Sequence, residues 1–258
     1  MDLQLKNHTA IVTGGSAGIG LAIVETLLAE GVSVIVPGRS RAKLDQAFPD
    51  NPAGLQKIVA DLATAEGAAA LIAAVPDADI LINNLGIYEA KPFADITDED
   101  WLKIFEVNVL SGVRLSRHYF PRMLKKNRGR VIFISSESGI MTPPEMVHYG
   151  VTKSSQLALS RGLAELTKGT GVTVNSVMPG PTRSEGIVDF LKNIATPGAS
   201  AEEAEHQFFE KHRSSSLLQR LIDGKEIASL VAYLASPLSA ATNGAALRAE
   251  GGLLRSIA

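Results

Sequence analysis

Near its start the chain passes from a short β-branched run, Ala10-Ile11-Val12, into a helical pattern through a loop that is half glycine, Thr13-Gly14-Gly15-Ser16-Ala17-Gly18-Ile19-Gly20. A strand that turns so abruptly into a helix leaves few folds open. Glycine lets the backbone turn tightly and approach a ligand closely, and the helix start presents unpaired N–H groups with partial positive charge. Such a junction suits a phosphate group. Its spacing is T-G-x-x-x-G-x-G, and no Gly-Lys-Ser/Thr closes it as a P-loop would require.

The rest of the chain repeats the alternation. Apolar runs at Val32 to Val36, Ile58-Val59, Ile80-Leu81-Ile82, Val131 to Ile134, Val172 to Val177 and Ala245 to Leu247 read as further strands. Helical spacing covers Ile19 to Glu30, Trp101 to Leu124, Tyr149 to Thr167 and Lys225 to Leu234, and Gly31 stands where the first helix needs a left-handed end. Runs that are apolar throughout belong to strands covered on both faces, so the expected class is α/β: a doubly wound parallel sheet of about seven strands.

With 258 residues, 45% of them hydrophobic, the chain is expected to be one domain over 1–258. Its one compositional break, 181–220, is polar and irregular and reads as a substrate-binding or lid segment, or as a plain surface excursion. A net charge of −2 with scattered signs predicts neither nucleic-acid nor membrane partners. There is no cysteine, which excludes disulfides and thiolate chemistry. Without a signal-like start or a spanning apolar segment, a cytoplasmic location is expected.

After the second strand the chain reads Val36-Pro37-Gly38-Arg39-Ser40-Arg41. A ribose 2′-hydroxyl is usually held here by a carboxylate, and a 2′-phosphate by a cation. Arg39 supplies a planar set of donors and Ser40 a hydroxyl, so NADP(H) is favoured over NAD(H); Arg39 and Arg41 also read as solvated loop charges. Further on, Tyr149 and Lys153 stand one helical turn apart, with Ser136 at a strand end thirteen residues before Tyr149 and Asn108 on the preceding helix.

Together Thr13 to Gly20, Asn83-Asn84-x-Gly86, Asn108, Ser136, Tyr149-x-x-x-Lys153 and Pro179-Gly180-x-Thr182 resemble the short-chain dehydrogenase/reductases in order and spacing. The resemblance runs from Leu5 to Glu250-Gly251-Gly252 and implies a Rossmann-type fold with helices on both faces. By that resemblance Tyr149 is the general acid/base, Ser136 holds the substrate oxygen, Lys153 binds the nicotinamide ribose, and Asn108 supports a water leading from Lys153. Cofactor contacts are implied for Thr13, Gly14, Ser16, Ala17, Gly18, Ile19, Gly20, Asp61, Leu62, Asn84, Gly86, Pro179, Gly180 and Thr182. Leu85 stands where alanine is usual, and Ala249-Glu250 where Val-Asp is. Homotetramers, or dimers, are the implied assembly.

An ordinary phenol titrates near ~10, so Lys153 and an oxidised nicotinamide are expected to favour phenolate; about three units of depression correspond to about 4 kcal/mol. Ser138, Met141, Met146 and Phe190 are expected around the substrate, with Tyr88, Met178 and Leu191 either there or in the core. Glu137 and Glu145 read as solvated carboxylates, though a polar substrate could touch them. His148 points away from Tyr149's face and reads as structural. His206 and His212 lack metal-site spacing, and no metal is expected. A small carbonyl or alcohol substrate leads. One alternative is a 3-oxoacyl-thioester reductase, with Arg117, Arg122, Lys125, Lys126, Arg128 and Arg130 as a carrier-docking patch. Another is a non-catalytic NADP(H)-binding sensor that keeps the fold without turnover.

Overall fold

The computed structural model describes residues 1–257; the side chains of residues 185, 189 and 192–194 lie outside the description. Seven strands, β1 (Thr9–Val12), β2 (Ser33–Gly38), β3 (Leu55–Val59), β4 (Ile80–Asn83), β5 (Gly129–Ile134), β6 (Val172–Pro179) and β7 (Ala246–Ala249), form one sheet. Their order is β3-β2-β1-β4-β5-β6-β7, and every pairing is parallel. This is the doubly wound, Rossmann-like arrangement expected from the alternating runs. β4, β5 and β6 are buried at every position, which is why their sequences show no polar alternation.

Helices α1 (Gly18–Ala29), α2 (Arg41–Ala47), α3 (Ala65–Ala74), α4 (Asp98–Phe105), α5 (Ser111–Lys126), α6 (Val147–Glu165), α7 (Glu185–Ile194), α8 (Ala201–His212) and α9 (Gly224–Ala235) complete the chain. On one face Ile23, Val24 and Leu27 of α1 and Ile227, Val231 and Leu234 of α9 pack against Val12, Val34, Ile82 and Val177. On the other, Leu71 of α3 and Leu115, Tyr119 and Met123 of α5 pack against Ile11, Leu81, Val131 and Phe133. A third, smaller cluster around Leu191, Phe208, Phe209 and Leu221 belongs to α7, α8 and the segment after them.

Three local departures bear on the site. The run expected as one helix from Trp101 to Leu124 begins earlier, at Asp98, under a capping box between Thr97 and Asp100, and a π-helical turn over Glu106–Leu110 interrupts it. The segment 181–220, irregular by composition, contains two helices: Ser184 caps α7, and Ser200 with Glu203 forms a capping box on α8. Helices α2 and α3 were hidden by their shortness and by alanine-rich stretches with no apolar stripe. Gly31 has the expected positive φ, +78°, after α1.

Candidate active site

β1 and β4 are neighbours whose chains depart in different directions, and their carboxyl ends open the crevice where such sheets bind ligands. Thr13 and Asn84 stitch this point together. The Thr13 hydroxyl accepts from the amides of Asn84 and Leu85, both at 2.8 Å, and Asn84 Nδ2 donates to the Thr13 carbonyl at 2.9 Å. The unexpected Leu85 fits without disturbance, its side chain packing half-buried on the α5 side of the sheet.

Glycine is required in the first loop for two reasons. Gly14 and Gly18 have φ of +64° and +52°, and a Cβ on Gly20 would lie 2.2 Å from the Gly14 carbonyl oxygen. The helix beyond has no side-chain cap: Ala17 occupies the N-cap of α1, whereas Ser40, Thr64, Thr97, Ser184, Ser200 and Asp223 cap α2, α3, α4, α7, α8 and α9. The first amides of α1, flanked by Ser16 and Ile19, are therefore available to an anion. Arg39 is exposed and makes no ion pair among the described residues, while Arg41 pairs with Asp45 at 3.1 Å. An open cleft runs from Arg39 past Thr64 to Lys103 and Arg114. Ser40 spends its oxygen on the Lys43 amide. Asp61 closes its own turn onto the Ala63 amide, and Leu62 is buried in the core, so only its backbone can meet a ligand.

At the far side of the crevice, Ser136 follows β5, and Tyr149 and Lys153 lie on the first turns of α6. Tyr149 stands beside Ser136, which favours the ionised form of its phenol. Lys153 is buried, donates to the Ile134 carbonyl at 2.9 Å, and stands 5.5 Å from the centre of the Tyr149 ring. Asn108 sits within the π turn, locked to Ile87 through both its side-chain atoms and to the Thr152 hydroxyl. Gln156, which the sequence reading missed, joins Lys153 to the π turn: Lys153 Nζ donates to Gln156 Oε1 at 3.1 Å, and Gln156 Nε2 donates to the Asn108 carbonyl at 2.6 Å. Its signal was available, since position 156 lies one turn after Lys153 on the same helical face.

Electrostatics differ from the expectation for Tyr149. Burial, and then the negative charge of Glu137, push the phenol above its ordinary 10.0, with Ser136 opposing. Burial also lowers Lys153 to about 8, with Glu137 opposing. The surroundings that the folded chain itself supplies thus favour the protonated phenol. The second cause, Glu137, is not the solvated carboxylate expected: it is 5% exposed, accepts from the Ser136 hydroxyl, and is itself raised by burial. Its neighbour is Arg213, just after α8, which sequence spacing could not connect to it.

The remaining expected residues divide. Ser138 is buried and donates its amide to Ser136 Oγ at 3.1 Å. Gly86 lies beside Asn108 and Lys153, Pro179 ends β6, and Thr182 donates its hydroxyl to the Gly180 carbonyl. Met141 is exposed and Met146 half-buried, but Met178 and Leu191 are core residues, and half-buried Phe190 packs edge-on against Phe208 in the third cluster. Tyr88 meets Tyr149 edge to face with centroids 6.2 Å apart. His148 is buried against Trp101, as a structural residue should be. Glu250 is buried and accepts from Arg248.

In the basic patch Arg130 differs from the others, Arg117, Arg122, Lys125, Lys126 and Arg128 being exposed. Arg130 is buried among the carbonyls of Gly129, Gly171 and Ser236, Lys126 pairs with Asp77 and Arg128 with Asp79. The cluster lies at the amino end of β5, and Ser136 lies beyond its carboxyl end.

A family model described as short chain dehydrogenase matches residues 8–193. Over the full length of both chains, 49% of residues are identical to the uncharacterized oxidoreductase YvaG of Bacillus subtilis (strain 168). A 3-oxoacyl-[acyl-carrier-protein] reductase of Escherichia coli (strain K12) is 35% identical over 97% of this chain and 99% of its own. L-sorbose reductase from Gluconobacter frateurii, complexed with NADPH and L-sorbose, superposes with a TM-score of 0.92 over 100% of both chains at 26% identity. With the family model covering most of the sequence and relatives matched nearly end to end, the chain belongs to the short-chain dehydrogenase family of oxidoreductases.

Proposed function

We propose that this chain is an NADPH-dependent carbonyl reductase that converts a ketone to a secondary alcohol, with Tyr149 as the proton donor. The observation that carries this reading is Tyr149 set beside Ser136 and backed by buried Lys153, facing a helix start without a side-chain cap across the sheet's switch point. The uncapped α1 amides and glycine loop would hold the pyrophosphate, Arg39 the 2′-phosphate, and Lys153 with Gly86, Pro179, Gly180 and Thr182 the nicotinamide half. When bound, the reduced nicotinamide supplies the hydride.

Ser136 directs its hydroxyl at the carbonyl oxygen and stabilises the charge that develops there. Tyr149, kept protonated by burial and by Glu137, releases its phenolic proton to the same oxygen. Lys153 stands behind the phenol with a hydrogen-bonded route through Gln156 to the Asn108 carbonyl. A pure sensor would have no use for an aligned proton donor and its relay. The segment 181–220 acts as the lid of the single domain: α7 enters beside Gly18, and a Cβ on Gly186 would lie 2.3 Å from the Tyr88 hydroxyl. A homotetramer working in the cytoplasm completes the reading, supported by exposed Leu102 and Phe105 on α4 and Val151 on α6. Among the described residues no helix is long and apolar enough to cross a membrane.

NADPH consumption over a panel of ketones tests the proposal, with Tyr149→Phe expected to lose about 10²–10⁴-fold in rate. Turnover that survives in the variant would remove Tyr149 from the mechanism. Arg39→Ala should weaken NADPH binding by about 1.5–3 kcal/mol, the worth of a charged hydrogen bond, and leave NADH binding unchanged. An unaltered NADPH/NADH affinity ratio would overturn the cofactor preference.

A further inference from the structure

The proposed reaction asks Ser136 for a proton that the structure places elsewhere. A hydroxyl has one proton to give and two lone pairs to fill. The Ser136 proton goes to Glu137 Oε2, with the two oxygens 2.5 Å apart, the separation of a charge-assisted O–H···O bond. The Ser138 amide fills one of the Ser136 lone pairs, at 3.1 Å. With Glu137 ionised, Ser136 therefore has nothing left to donate to a substrate oxygen.

One proton on Glu137 reverses the pair. The carboxylic acid becomes the donor across the same short contact. Glu137 and the Ser138 amide then fill both lone pairs of Ser136, and its own proton is free to turn to the carbonyl oxygen. Aligned hydrogen bonds of this kind polarise one another and strengthen the last donor. The surroundings bring the protonated form within reach: burial raises Glu137 above the ordinary 4.5, while Ser136, Arg213 and Ser138 act the other way. Arg213 stays 3.7 Å from Oε1, beyond hydrogen-bonding reach, and its Nη1 faces Glu145 at 3.8 Å. From α6, Tyr149 and Lys153 both feel the Glu137 charge, which raises the phenol and opposes the lowering of the ammonium, and Tyr88 stands against the Tyr149 ring. A proton on Glu137 removes that charge, so the event that frees Ser136 also makes Tyr149 a readier donor.

We propose that Glu137 is a positioning residue acting through Ser136: as a carboxylate it captures the serine proton, and as a carboxylic acid it aims that proton at the substrate oxygen. This rests on the carbonyl-reductase reading of the same site. No proton is consumed at Glu137 in a turnover. The proton that reaches the product oxygen comes from Tyr149, the hydride comes from NADPH, and the proton on Glu137 is in equilibrium with the medium. Ser136 accordingly contributes most on the acid side of the Glu137 titration. Glu137→Gln copies the acid form, because the Arg213 charge draws the amide oxygen and leaves the amide N–H to Ser136.

The test reads the factor by which Ser136→Ala lowers kcat, with NADPH and the ketone of the panel that is reduced fastest, from about pH 5 to about pH 9. It is read in the full chain with Glu137 and again in Glu137→Gln. Taking the factor at each pH sets aside the titrations of Tyr149 and Lys153, which the chains with and without Ser136 share. With Glu137 present it should shrink about tenfold or more as pH rises, and in Glu137→Gln it should stay within about twofold. A factor that is constant in both chains, as a merely structural Glu137 would give, or that changes alike in both, overturns the proposal. Ser136→Cys, whose thiol is a weak donor, takes the place of Ser136→Ala should that variant not fold. Should no ketone be reduced, the reductase reading fails, and the hold of Glu137 on the serine proton is judged without turnover. Carbon-13 spectra of chains labelled at the glutamate carboxyls, with the Glu137 signal assigned by its absence in Glu137→Gln, give its titration midpoint. The midpoint should rise by about one unit or more in Ser136→Ala, which has no proton to give the carboxylate. An unmoved midpoint overturns the proposal.

Discussion

Ser136, Tyr149 and Lys153 rest on β5 and α6, in the middle of a sheet sandwiched between two large apolar clusters, whereas α7 and α8 share a small cluster of their own around Leu191, Phe208 and Phe209. The floor is cross-linked: the Ser135 hydroxyl donates to the Lys153 carbonyl and Lys153 Nζ to the Ile134 carbonyl of β5, while Asn108 Nδ2 donates to the Ile87 carbonyl and Gln156 Nε2 to the Asn108 carbonyl. The cap is joined to the floor by polar contacts near its ends, Arg213 with Glu137 and Glu145 on one side and Arg183 with Glu205 bracing the segment on the other. Regions with few buried apolar contacts open at lower free energy than the core. The proposed proton donor is on the stiff part, and the proposed lid is the part that can yield.

The comparison can be broken at either end. Ser136→Ala, on the floor, should cost about 10²–10³ in kcat, as removal of an oxyanion-type donor does, and should lower the stability by about 1–3 kcal/mol because the buried Glu137 carboxylate loses its donor. A loss confined to KM would mean that Ser136 only helps to bind substrate.

Phe208→Ala attacks the cap. Truncating a buried Phe removes about 3–5 kcal/mol, a large part of what so small a cluster can hold. Hydrogen exchange should then accelerate across α7 and α8 and leave α5 and α6 protected. If protection falls equally everywhere, cap and floor are one cooperative unit.

The smallest effect is expected where the two regions meet. Glu137 has its folded pKa raised above the ordinary 4.5 by burial, so the folded chain binds more protons than the unfolded one above that pH. Its contribution is fully favourable below the unfolded value and is lost as pH rises through the folded one. Glu137→Gln should therefore be more stable than wild type at neutral pH, and the difference should shrink towards pH ~4, measured by chemical denaturation. A difference that does not vary with pH would show that the carboxylate is not buried as described.

The same division decides what could be read from sequence. Apolar runs, glycine spacing and the Tyr149–Lys153 step are local patterns, and they were enough to locate the sheet, the loop and the proposed proton donor. Glu137–Arg213 and Lys153–Gln156–Asn108 differ in kind. The first joins residues 76 positions apart through the approach of α8 to β5, which no periodicity encodes. The second depends on the carbonyl of Asn108, and which way a carbonyl points is invisible until the π turn is seen. Arg130 misled for a related reason: a basic residue in a run of basic residues looked like surface, yet it begins a central strand.

The π turn at Glu106–Leu110 also ranks two demands against each other. Such a turn holds one residue more than a regular helical ladder accommodates. Deleting a residue there would let α4 run into α5 as an unbroken helix, a simpler and better-bonded backbone, and would rotate Asn108 away from Ile87, Thr152 and Gln156. The shortened protein would gain in regularity what it lost as a catalyst. At this position a repair of the helix is an injury to the enzyme, and selection for stability alone would erase the feature.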